Sequence, residues 1–154
     1  MGEFGISLFT NEYLTKQAKE SIVRTNEYTK KYGLSLTEKE ALLIVKEKNE
    51  ALRSFGRVEF GAGISEKIIM EFADSPYLMK DQYVETIIEL QDIFYYFKNE
   101  SLDELTDDEL LKIMKYYFDH DCQGDLGFLQ STLLENVCRS IRYGQRNFND
   151  KSKE

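Results

Sequence analysis

One proline, Pro76, stands in 154 residues, and no other feature narrows the possible folds so far. Proline lacks an N–H donor and fixes φ, so it ends helices and interrupts central strands. A chain with a single proline keeps long stretches open to uninterrupted helix. Within those stretches the apolar residues recur three and four apart, the spacing of a helix with one buried face. No stretch alternates with period two over any length, and Arg57-Val58-Glu59-Phe60 is the one short extended candidate. The expected fold is all-α, a single-domain bundle of about six helices.

Caps and glycines mark the blocks. The first, about 11–32, carries Leu14, Ala18, Ile22, Thr25, Tyr28 and Tyr32 on one stripe and stops at Gly33, a C-cap. Thr37 with Glu40 makes a capping box, and the stripe Ala41, Leu42, Val45, Lys48/Asn49, Leu52 runs on to Gly56. A third block spans Ile64 to Ala73 and stops before Asp74-Ser75-Pro76, because proline disfavours helix at the residue before it. The fourth, about 81–99, takes Asp81 as its N-cap. Thr106 with Glu109 forms a second capping box and opens the fifth, and the sixth covers about 125–142. Residues 1–10 are expected to be a flexible terminus or an expression remnant, 11–146 the helical domain, and 147–154 a disordered polar tail.

Charge bears on partners. The net charge is −8, and residues 64–154 hold nineteen Asp/Glu against ten Lys/Arg, whereas residues 1–63 are nearly balanced. Such a surface repels a phosphate backbone, so nucleic acid is not an expected partner. The best basic stripe, Arg139, Arg142 and Arg146, is expected to be a solvated face or to pair with nearby carboxylates. The opening MGEFGISLF has no positive n-region, and Ile6 stands where a myristoylation signal needs Ser or Thr. No apolar run reaches the ~20 residues of a membrane span. A cytoplasmic location is therefore expected, with Cys122 and Cys138 as reduced thiols.

Four constellations are candidates for function. The stretch 119–130 resembles a calcium loop, with Asp119, Asp121, Gln123, Gly124 and the Asp125 carbonyl at positions one, three, five, six and seven. It lacks the bidentate glutamate at position twelve, where Gln130 stands, so a metal at Asp119, Asp121, Gln123 and Asp125 would be weakly held. The competing expectation is a junction in which Gly124 ends one helix and Asp125 caps the next. His120, Cys122 and Cys138 do not supply the two close ligand pairs of structural zinc. The loop 55–65 is glycine-rich, and Arg57, Glu59, Gly61 and Gly63 before a helix start suggest a small-ligand or anion site. Glu85, Glu89 and Asp92 line one helix face and suggest a solvated acidic surface.

The fourth constellation is aromatic. Phe94-Tyr95-Tyr96-Phe97 and Tyr116-Tyr117-Phe118 cover more than one helix face, so they are either buried among other helices or turned to a partner. Tyr95, Tyr96, Tyr116 and Tyr117 are the candidate partner-binding residues.

The segments LSLTEKEALLIVKEKNEALRSFGRVEFGAGI, DSPYL, ELQDIFYYFKNESLDELTDDELL and CQGDL, in that order from about residue 11 to 143, resemble a family of small bacterial proteins, mainly from anaerobic Gram-positive species, classed as a domain of unknown function. The resemblance implies a bacterial, cytoplasmic origin and supplies no activity. No catalytic signature is present and no cofactor is implied. The chain is accordingly expected to be a non-enzymatic module that binds a protein or peptide, or associates with itself.

Overall fold

The computed structural model describes residues 2–59 and 63–143, with side chains left aside at 2–11, 132 and 133. Six helices carry the fold, and no strand occurs among the described residues. They are α1 (Gly2–Arg24), α2 (Glu38–Ser54), α3 (Ile64–Phe72), α4 (Tyr83–Glu100), α5 (Asp107–Asp119) and a composite α6. The last joins Leu126–Phe128, a π-helical turn Leu129–Leu133, and Leu134–Arg142. The expected all-α bundle is what the chain forms.

Both capping boxes form as the spacing requires. The Thr37 hydroxyl accepts from the Glu40 amide (3.1 Å) and the Glu40 carboxylate accepts from the Thr37 amide (2.9 Å); Thr106 and Glu109 repeat the arrangement at the start of α5. Each box satisfies two amides that a helix start leaves without partners. Gly33 adopts φ 77° and closes the first block, and the Asn26 side chain then clamps the following link, its amide group donating to the Leu36 carbonyl and its Oδ1 accepting from the Leu36 amide (both 2.8 Å).

The block expected as one helix over 11–32 is divided. α1 ends at Arg24, and a short turn of helix (Asn26–Thr29) and a 3-10 turn (Lys30–Tyr32) follow. At the break the Thr25 hydroxyl donates to the Ile22 carbonyl, a local bond that competes with the helical ladder. Asp81 does not cap α4. It lies in a 3-10 turn, Lys80–Gln82, and the helix begins at Tyr83.

α4 is the central helix and packs on α2, α3, α5 and α6, while α1 lies along α2. This placement explains its aromatic end. Phe94, Tyr95 and Phe97 are at most 1% exposed, because a helix surrounded by others buries residues on every side. Ile44, Ile68, Leu90 and Leu110 fill the space between it and its neighbours, and Phe72 meets Phe118 edge to face at 5.2 Å across α3 and α5. No helix is long and apolar enough to cross a membrane among the described residues.

Candidate functional site

Two places gather polar chemistry. The first lies under the link between α2 and α3. Gly56 turns the chain with φ 66°, and Arg57 reaches across to α4 and the turn after it. Its guanidinium donates to Asn99 Oδ1 (2.6 Å) and to both oxygens of Asp103 (2.8 and 3.3 Å), and the Asn99 side chain donates back to the Phe55 carbonyl (2.9 Å). Hydrogen bonding from Arg57 holds the Asp103 carboxyl below the usual carboxylate range. Leu102 and Asp103 both have positive φ (56° and 57°), a conformation that leucine rarely adopts.

Two residues further on, Glu59 turns inward. Its Oε1 accepts from the Ile64 amide, the first of α3 (3.0 Å), and lies 3.8 Å from Lys48 Nζ; its Oε2 accepts from the Tyr95 hydroxyl (2.8 Å). Lys48 is 2% exposed and Tyr95 is 1% exposed. Burial lowers the Lys48 pKa, with Glu59 opposing, and burial followed by Glu59 raises that of Tyr95. Gly63 makes room for this arrangement. With φ 50° and ψ −121°, it passes so close to the carboxylate that a Cβ there would lie 2.0 Å from Glu59 Oε1.

Deeper in the same column, buried Ser65 donates to Gln91 Oε1, and Gln91 Nε2 donates to the Ile44 carbonyl (3.4 Å). Ile44 and Lys48 are four apart on α2, and Gln91 and Tyr95 four apart on α4, so each pair faces the same interhelical seam.

Arg57, Glu59 and Gly63 are thus brought to one loop, but not around a shared space. Arg57 is committed to Asp103 and Asn99, and the anion that meets α3 is the chain's own Glu59. Gly61 lies outside the described residues.

The second place is the junction between α5 and α6. Here the calcium-like spacing serves other ends. Asp119 accepts from the Ser75 hydroxyl (2.6 Å) and pairs with Lys115 (2.7 Å), while Asp125 caps α6 by accepting from the Phe128 amide (3.0 Å). Gln123 and Gly124 both take positive φ (48° and 88°), and the Cys122 and Gly124 amides donate to the Tyr117 and Phe118 carbonyls (both 2.9 Å), closing the end of α5. The expected metal set of Asp119, Asp121, Gln123 and Asp125 is therefore not drawn together: a cap and an ion pair hold two of its carboxylates apart. No three His, Cys, Asp or Glu groups converge as metal ligands among the described residues.

The junction instead forms one wall of a groove of about 580 Å³. Gly124, Asp125, Leu126 and Gly127 face Asp81, Glu85 and Glu89 of the α4 approach across it. Four carboxylates and no cation line it, and none of the four has an ion pair among the described residues. Aromatic side chains lie near the junction: Tyr77 folds against Gly124, Phe128 is exposed, and the Tyr116 and His120 rings meet at a 44° tilt with centroids 4.4 Å apart.

Of the four tyrosines expected at a partner surface, Tyr116 is 51% exposed, and Tyr96 and Tyr117 are half-buried. Tyr95 is a core residue whose hydroxyl is engaged by Glu59. Arg142 pairs with Glu100 and Glu135 as expected; Arg146 lies outside the described residues, as does the tail 147–154. Cys122 and Cys138 are free and buried, and burial lifts their pKa values to about 11 and about 12, which keeps both as unreactive thiols.

A family model described as a family of unknown function (DUF6323) matches residues 21–147. The chain belongs to that family. The match takes in every residue of both places, from Ile44 to Phe128. No curated protein and no solved structure matches the chain. Sequence reading missed two parts of them. Lys48 and Gln91 fall on apolar helical stripes, and a long polar side chain in such a stripe is the signal that marks a buried network. The pairing of Asp81, Glu85 and Glu89 with Asp125 had no local signal, since it spans the bundle.

Proposed function

We propose that this chain is a non-enzymatic binding module whose partner presents a basic segment, received in the groove between Asp81, Glu85 and Glu89 on one side and Gly124–Gly127 on the other. The observation that supports it is the lining itself: four carboxylates without a cation, in a volume within the range of known binding clefts. Unpaired like charges raise the local potential, attract a cationic partner and speed its encounter. The exposed ring of Tyr116 and the rings of Tyr77 and Phe128 near the junction suit the apolar part of such a segment. The free thiols fit a reducing, cytoplasmic setting.

The test uses a fluorescein-labelled peptide of Arg, Lys and Ala, followed by fluorescence anisotropy. Glu85→Lys with Glu89→Lys is expected to weaken binding at least ~10-fold, the scale set by a few close charge contacts. Glu20→Lys with Glu50→Lys makes the same change of net charge on exposed positions away from the groove and is expected to change affinity by less than ~3-fold. Equal losses in the two variants would reduce the effect to overall charge and overturn the assignment.

A further inference from the structure

The cluster under the α2–α3 link is built as a binding site and is filled by the chain itself. Lys48 and Tyr95 are almost wholly buried, yet each directs its polar end at one carboxylate, and the first amide of α3 directs a third donor at the same group. The two oxygens are distinguished: one faces the amide and the ammonium, the other the phenol. A buried ammonium in a helical bundle is costly relative to an apolar side chain of the same volume, so packing alone does not account for Lys48. Glu59 comes from a connecting loop rather than from a helix, and Gly63 is shaped to admit its carboxylate rather than a side chain of its own.

We infer that Lys48, Tyr95 and the start of α3 form a binding site for a small carboxylate, occupied in cis by Glu59. In the native chain the tethered group holds the site at high effective concentration, and a free carboxylate competes only poorly. Removing the tethered group makes the site visible.

The experiment is thermal unfolding of Glu59→Ala in sodium acetate against sodium chloride at equal ionic strength. With a dissociation constant near ~10 mM, 100 mM acetate is expected to raise Tm by about 3–6 °C over chloride. The wild-type chain and Glu59→Ala with Lys48→Met are expected to show no acetate-specific shift. A Glu59→Ala chain whose Tm is the same in both salts overturns the inference. If Glu59→Ala is unfolded in chloride, the expected result is recovery of helical circular dichroism on adding acetate. Continued unfolding in 0.5 M acetate while the double variant is folded overturns the inference. So does a double variant that cannot fold, since the whole Glu59 side chain, not its carboxylate, would then be what the fold needs. The groove at the α5–α6 junction takes no part in these measurements, so the two sites stand or fall separately.

Discussion

Replacing Gly63 by alanine tests how the α2–α3 link is held together. Two costs are expected, and they are separable. The backbone at φ 50°, ψ −121° is one that residues with a Cβ avoid, at about 1–3 kcal/mol. The added Cβ would also lie 2.0 Å from Glu59 Oε1 and 2.6 Å from its Cδ. The carboxylate is the end of a flexible side chain and can swing aside, so the second cost is what it leaves behind: the Ile64 amide, the Tyr95 hydroxyl and the Lys48 ammonium. Leaving buried donors unsatisfied costs about 1–3 kcal/mol each. Partial relaxation reduces that figure, and a total loss of at least ~3 kcal/mol is expected, lowering Tm by about 6–12 °C for a chain of this size. Urea unfolding followed by circular dichroism measures it. A double-mutant cycle then divides the terms, because in a Glu59→Ala background the clash is gone and Gly63→Ala should cost only the backbone strain. A coupling of ~2 kcal/mol or more is expected. Additive losses, or a Gly63→Ala chain within ~1 kcal/mol of wild type, would refute the account of this loop.

Two further outcomes follow from other positions. Tyr83 is buried with its hydroxyl lacking a hydrogen-bond partner among the described residues, beside a Thr29 hydroxyl that donates to the Leu34 carbonyl, and burial raises its pKa to about 12; Tyr83→Phe is expected to leave stability unchanged or raise it by up to ~1 kcal/mol, as read by Tm. Asp103 has a pKa depressed by Arg57, so its contribution is present above the unfolded carboxylate pKa of ~3.9 and is lost as pH falls through the lower folded value. Asp103→Asn should therefore narrow the gap to wild type as pH drops below ~4, and a gap that stays constant from pH 7 to pH 2 would contradict the Arg57–Asp103 pairing.

Local signals in the sequence carried most of the fold. Thr37 with Glu40 and Thr106 with Glu109 are read within four residues of chain, and Gly33 needs only its own permissive backbone. The break after Arg24 was hidden because the apolar stripe continues through it, while the competing bond is a single hydroxyl at Thr25. The sites were less legible for a physical reason. Glu59 meets Tyr95 across 36 positions and Arg57 meets Asp103 across 46, and no spacing rule relates residues so far apart. The loop at 119–125 shows the converse: a ligand-like spacing was fully visible, yet a lysine one turn back and a cap one turn on had already engaged its carboxylates.

The π-helical turn at Leu129–Leu133 fixes the length of α6 as well as its path. Each residue of an α-helix advances the side chains by about 100°, and a π turn absorbs one extra residue without lengthening the rise in proportion. Were the same residues wound as an unbroken α-helix, everything beyond the turn would be rotated by about that angle, and Val137, Cys138 and Ile141, now on the core side, would leave it. The turn therefore acts as a phase adjuster, and deleting one residue within it is expected to give a regular α-helix whose far end keeps its core-facing side.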